Sequence, residues 1–205
     1  MAVAGSRAER PRRAADPLRR PTSECTAATI VRGSRFLACL APAEGAAEAE
    51  ALLRRRVEAY PDASHHCWAW RAWRGGRLES AGHDAGEPSG TAGRPIAGAL
   101  ERSDLVQAGC VVTRWFGGTK LGTGGLSRAY AEAAALVIET AATAEALQAV
   151  EPAARWRLVF PYERTGPVRG ALARFGAVEL TGRYGAEVEL TVAVGRVRAG
   201  EFDAA

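Results

Sequence analysis

Two stretches hold residue types that could do chemistry. The first is "RWFGGTKLGTGG", residues 114–125, where five glycines stand among Arg114, Lys120, Trp115 and Phe116. A glycine-rich turn that opens a helix leaves backbone amides unpaired at the positive end of the helix dipole, an arrangement that favours an anion. Neither standard phosphate motif fits. A P-loop needs Lys directly followed by Ser or Thr after its second glycine, whereas Lys120 precedes Leu121 and lies two residues before Gly122. A dinucleotide fingerprint needs a third glycine where Ser127 stands. Two readings stay open. In one, Arg114, Lys120 and Arg128 surround a phosphate cradled by Gly117, Gly118, Gly122, Gly124 and Gly125, with Trp115 and Phe116 free to stack on a base or a guanidinium. In the other, the glycines allow positive φ and close packing, and both aromatics belong to the core.

The second stretch pairs "SHHC" (64–67) with "HDAGEPSGTAG" (83–93). A Cys-His nucleophile needs an imidazole beside the thiolate, and paired carboxylates can share acid and base work. His65, His66, Cys67, Asp84 and Glu87 are therefore the candidates for a small-molecule enzyme. Adjacent His65 and His66 point to opposite faces of an extended strand, so they cannot share a metal, and no metal or cofactor is expected. Acids in a loop rich in Gly, Ser and Pro also serve commonly as helix caps and turn anchors.

The elements that must position these groups follow from periodicity. Residues 26–42 hold two short apolar runs hinged at Gly33-Ser34, a hairpin. Residues 43–60 have helical spacing and stop at Pro61. "SHHCWAWRAW" alternates, with His66, Trp68 and Trp70 on one face and His65, Cys67, Ala69 and Arg71 on the other. A turn at Gly75-Gly76 leads into a loop without periodicity, and a helix spans 95–102 with Pro95 in its first turn. "QAGCVVTRW" is the central strand, and the strongest helix starts at Leu126. Past a break at Glu151-Pro152, a strand, a helix over 165–175 and a strand pair give β-α-β-β, two-thirds of a ferredoxin-like unit. The eleven residues after Val194 are too few to complete it, which leaves an open sheet edge for a partner.

Charge narrows the classes further. Residues 1–23 contain six Arg against Glu9 and Asp16, which accounts for the whole net charge of +4 and leaves the remainder neutral. This Pro- and Ala-rich segment has no hydrophobic periodicity and is expected to be disordered. No run approaches the roughly 18 apolar residues of a membrane span, and no secretory signal is visible, so a cytoplasmic location is expected. Four widely spaced cysteines read as reduced, mostly buried thiols.

"GSRFLA", "SHHCWAW", "DAGEPSGTAGRP" and "VVTRWFGGTKLGTGGLSRAY", in this order and spacing, resemble the IMPACT/YigZ family (uncharacterised protein family 0029). The likeness covers roughly residues 25–145 and more weakly the rest. It implies an α+β protein of two domains: an N-terminal α/β sandwich of the ribosomal-protein-S5 domain-2 type, here over 24–148, and a ferredoxin-like domain, here over 153–205 and truncated by its length, while composition gives the disordered tail over 1–23. By position the family's polar cluster would be His65, His66, Asp84, Glu87, Arg94 and Arg114. Ala85 stands where many members carry a second acid, which weakens a metal or two-carboxylate site. The leading expectation is a non-enzymatic protein of translation that binds RNA, a ribosome-associated partner or another phosphate-bearing partner through Arg94, Arg114, Lys120, Arg128 and the glycine loop. The alternative is a hydrolase-like enzyme using His65, His66 or Cys67 with Asp84 and Glu87. The open C-terminal sheet is a candidate surface for a protein partner.

Overall fold

In a computed structural model, described over residues 18–74, 77–150, 153–195 and Phe202, strands and helices follow the apolar patterning closely in the middle of the chain. The first elements are β1 (Leu18–Pro21), β2 (Cys25–Val31), β3 (Ser34–Pro42), α1 (Ala46–Ala59), β4 (His65–Arg74) and β5 (Arg77–His83). They are followed by α2 (Gly93–Arg102), β6 (Ala108–Trp115), α3 (Gly122–Thr143) and β7 (Leu147–Val150). The last are β8 (Ala153–Pro161), a 3-10 turn (Tyr162–Arg164), α4 (Thr165–Arg174), β9 (Val178–Arg183) and β10 (Glu187–Gly195).

An antiparallel sheet of five strands, ordered β2-β3-β6-β4-β5, organises the first part. Alternate side chains of its strands feed two cores. Phe36, Ala38, Leu40, Cys67, Ala69, Cys110 and Val112 pack under α2 and α3, while Cys39, Ala41, Trp68, Trp70, Ala72 and Val111 meet Ala49 and Leu52 of α1. A strand buried on both faces must be apolar throughout, which is why the run ending at Trp115 lies in the middle of the sheet. On α3 the positions Leu126, Ala129, Tyr130, Ala133, Ala134, Val137, Ile138 and Ala141 are buried, an apolar stripe at the spacing of one helix face. Its four alanines let the helix lie close to the strands.

The β2–β3 hairpin turns at Arg32 and Gly33, with φ of 45° and 81°, the left-handed pair that a two-residue turn of this type requires. The turn thus sits one residue earlier than the periodicity implied. Where α2 starts, Gly82 and Gly93 lie against each other: a Cβ on Gly93 would fall 2.3 Å from the His83 nitrogen.

Three expectations need correction. Residues 18–21 lie inside the segment expected to be disordered, yet they form β1, paired antiparallel with β7 from Leu18↔Val150 to Pro21↔Leu147. The Arg19 amide also donates to the Asp104 carbonyl and its own carbonyl accepts from Val106. The loop expected after the Gly75-Gly76 turn contains β5, an edge strand pairing Trp68↔His83 through Arg74↔Arg77. The helix expected from Leu126 begins four residues earlier, at Gly122. In the last core the Phe202 ring packs edge-on against Trp156 and Phe175 at 4.8 and 5.3 Å.

The remaining strands form a sheet ordered β8-β10-β9, both pairs antiparallel. This is the order of the first three strands of a ferredoxin-like unit. Leu172, Val188, Leu190 and Val192 are its buried centre, on the face that α4 covers. Residues 1–17, Gly75-Gly76 and the break at Glu151-Pro152 lie outside the described residues. Among the described residues no helix is long and apolar enough to cross a membrane.

Candidate functional site

In β6, Arg114 stands between Phe36 of β3 and His65 of β4, its partners in sheet register. It shares a strand face with Cys110 and Val112, so its side chain enters the core beneath α3 rather than solvent and is only 6% exposed. Nη1 donates to Glu87 Oε1 at 2.5 Å, and Nη2 to Ser34 Oγ at 3.3 Å. The guanidinium lies 5.5 Å from the Phe36 ring centroid and 5.7 Å from that of Phe116. Glu87 is equally enclosed, with a side chain 4% exposed. Its Oε1 also accepts from the Tyr130 hydroxyl at 2.8 Å, and His65 Nε2 lies 3.9 Å away. Burial in such a site is tolerable for two charges only when both are paired and bonded. Arg114 is therefore committed to Glu87, and its Nε is a buried guanidinium nitrogen with no bond among the described residues.

Cys67 is close to this cluster and buried. Its sulfur lies 2.9 Å from the Asp84 carbonyl and 3.3 Å from the Tyr130 hydroxyl. Burial pushes its thiol up to about 12, so at neutral pH the reactive thiolate is essentially absent. His65 directs Nδ1 to the Ala85 carbonyl at 3.0 Å. His66 is on the opposite face, with Nδ1 3.1 Å from Thr113 Oγ1, and burial lowers its pKa. The Cys-His pairing that a hydrolase would use is thus replaced by bonds to the backbone, to Tyr130 and to Thr113.

Asp84 acts as the cap its loop composition suggested. One carboxylate oxygen accepts from the Ala92 and Gly93 amides at 2.8 and 2.9 Å, and the other from Gly90 at 2.7 Å. Burial alone would raise its pKa, but these three N–H donors at the start of α2 outweigh it and hold the carboxyl below its ordinary value. The N-terminus of α2 therefore already has its anion.

Among the described residues the N-terminus of α3 has none. It carries no side-chain cap and no acid in its first turn, and residues 122–124 are exposed, beside exposed Lys120 and Arg128. The five glycines divide by task. Gly117 must be glycine because a Cβ there would fall 1.9 Å from the Gly33 carbonyl carbon, and Gly118 and Gly122 take φ of 83° and 67°. Gly125 would only touch Leu121. Gly124 has just one atom within 4 Å of a hypothetical Cβ, the Arg128 Nη1 at 3.8 Å. The loop therefore lies flat on the β2–β3 turn at its start and is open at its end. Both aromatics are engaged: Arg35 lies 4.5 Å over the Trp115 ring, whose Nε1 donates to Asp62, and Phe116, half exposed, covers Arg114.

Arg94 is separate from the ion-pair cluster. It is exposed on α2, lining a groove of about 500 Å³ between α2, β5 and Ser127 of α3. Of the candidates, then, Glu87, Arg114 and His65 come together in a buried network, Asp84 caps a helix, and Arg94, Lys120 and Arg128 remain available at the surface. The sequence reading missed Tyr130, Ser34 and Arg102. Tyr130 was legible as the position four after Leu126 on the buried face of α3. Arg114 carried its own signal of burial, its even spacing from Cys110 and Val112.

Residues 32–138 match the family model of the Impact N-terminal domain. The chain is 32% identical over 185 residues to the IMPACT family member YigZ of Escherichia coli (strain K12), covering 90% of this chain and 89% of that protein. It is 42% identical over 143 residues to a Thermus thermophilus IMPACT family member, covering 70% and 74%. A crystal structure of a hypothetical protein superposes with a TM-score of 0.62 at 30% identity, over 93% of this chain and 91% of that one.

Proposed function

The chain belongs to the IMPACT family, and from that premise we propose that it is a cytoplasmic, non-enzymatic protein of translation that binds RNA or another phosphate-bearing partner. The observation that carries this is the contrast between two helix starts. The α2 amides are occupied by Asp84, whereas among the described residues the α3 amides have no side-chain cap, and they start in exposed residues flanked by the exposed cations Lys120 and Arg128. Backbone amides, a helix dipole and two cations are the ingredients of a phosphate contact. The proposal takes the chain as two domains, 24–148 and 153–205, with β1 joined to the first and the binding face on it.

Arg114, expected at this face, is assigned a different part: paired with Glu87, it fixes the base of the loop through Ser34, whose hydroxyl also accepts from the Gly117 amide at 3.2 Å. The test is the affinity of the protein for a fluorescein-labelled single-stranded RNA between 50 and 300 mM KCl. Lys120→Ala with Arg128→Ala should flatten the log–log salt dependence by about 0.7 for each phosphate no longer neutralised. An unchanged slope and affinity would overturn the proposal.

A further inference from the structure

The groove that Arg94 lines extends from the C-terminal end of α2 to Ser127 on α3, the residue before Arg128. Arg94, Gly98 and Arg102 follow one another at four-residue intervals, so they form a single stripe along α2, with the two arginine Cα atoms about 12 Å apart by helical rise. Neither Arg94 nor Arg102 makes a hydrogen bond or ion pair with another described residue, and both are exposed. Buried Arg71, held by its bond to the Leu105 carbonyl at 2.8 Å, adds a third cation to the lining, against the one acid Glu101.

Gly98 is the informative residue. A glycine inside a helix costs about 1 kcal/mol relative to alanine. Nothing in the backbone demands it, since its φ is ordinary and an added Cβ would meet only the Arg102 Nη1, at 3.0 Å, the far end of a long and flexible side chain. What it does provide is a helix surface without a side chain of its own, over which the flexible Arg102 guanidinium folds and from which it can swing towards a ligand.

We propose that this groove holds single-stranded RNA, with phosphates on Arg94 and Arg102 and a nucleotide lying over Gly98. The proposal rests on the RNA reading above and extends it to the strandedness of the ligand and to a second contact surface. A recess of about 500 Å³ is of the size that encloses one small-molecule ligand. It can admit an unstacked nucleotide but not a duplex, which is bound across its grooves and backbone by protruding elements. Ser80 and Ser127 line the same recess and offer hydroxyls to base edges or ribose.

The experiment compares a fluorescein-labelled octauridylate with a labelled 16-base-pair RNA duplex, by anisotropy, on four proteins: wild type, Arg94→Ala with Arg102→Ala, Gly98→Leu, and Lys120→Ala with Arg128→Ala. The wild type should prefer the single strand at least tenfold. The arginine pair should lose about 1.4 from the salt slope. Gly98→Leu should weaken binding at least tenfold while its melting temperature stays level or rises, which excludes misfolding as the cause. Wild-type affinity in both groove variants, with weakening only in the Lys120 and Arg128 variant, would overturn the groove and leave RNA binding at α3 intact. Equal affinity for duplex and single strand would overturn the strandedness. No binding of either RNA by the wild type would overturn the RNA reading and the groove with it.

Discussion

Replacing Arg114 by alanine should act on stability before it acts on any ligand. The substitution removes the guanidinium from a side chain 6% exposed and leaves Glu87, 4% exposed, with only the Tyr130 hydroxyl as a close donor. Removing one partner of a buried pair costs about 3–5 kcal/mol, because the remaining charge is uncompensated. Loss of the guanidinium's packing against Phe36 and Phe116 adds to this. Against a total stability of roughly 5–15 kcal/mol that is a large fraction, and for a chain of this size it lowers the melting temperature by about 6–20 °C. Urea unfolding followed by tryptophan fluorescence reads it directly, since Trp68, Trp70 and Trp115 belong to the sheet that carries Arg114. Glu87→Gln keeps the acceptor for Tyr130 and removes the charge, so a double-mutant cycle of the two changes should give a coupling of more than 1 kcal/mol. A destabilisation below about 1 kcal/mol for Arg114→Ala would refute the reasoning. It would mean that the guanidinium is solvated and free to contact a phosphate.

Asp84→Ala should cost about 0.5–2 kcal/mol as the helix cap disappears, and the cost should depend on pH. The folded-state pKa lies below the unfolded one, so the carboxylate stabilises fully above about pH 4 and loses that contribution as pH falls through the folded value; the gap between wild type and variant, measured by urea midpoint, should close in acid. Alkylation by iodoacetamide at pH 8 should be fast at half-exposed Cys25 alone, since Cys39 and Cys67 are pushed up to about 12 and burial raises Cys110 further; rapid modification of Cys67 in the folded protein, read by peptide mass spectrometry, would contradict its place in the core. Gly117→Ala should unfold the loop, because its Cβ would overlap the Gly33 backbone, whereas Gly124→Ala should raise the melting temperature slightly, by the roughly 0.5–1 kcal/mol that separates the two residues in a helix.

The alternation of residues 65–71 was legible because helices cover both faces of the sheet, so each side chain has a definite core to enter. The edge strand β5 was not, since "RLESAGH" has no apolar face; Leu78 is 39% exposed, and the strand exists through its pairing with β4. A run of glycines hid the first turn of α3, because helix propensity counts against Gly122, Gly124 and Gly125. The candidate site divides in the same way. Asp84 as a cap could be read from its loop, and the exposed cations from their neighbourhood. The Arg114–Glu87 pair could not, because it joins residues 27 positions apart through a tertiary contact that no local pattern encodes, and only the strand parity of Arg114 hinted that it points inward.

The pairing of Leu18↔Val150 joins positions 132 apart in a chain of 205, which matters most while the protein is being made. The strand partner of residues 18–21 leaves the ribosome only after the whole five-stranded sheet has been synthesised, so β1 waits unpaired through that interval. Loop closure over such a span is slow compared with local contacts, and β1–β7 zipping is the expected last step in folding the first 150 residues. Until then Arg19 and Arg20 of β1 have no strand partner while they are next to the polyanion from which the chain emerges.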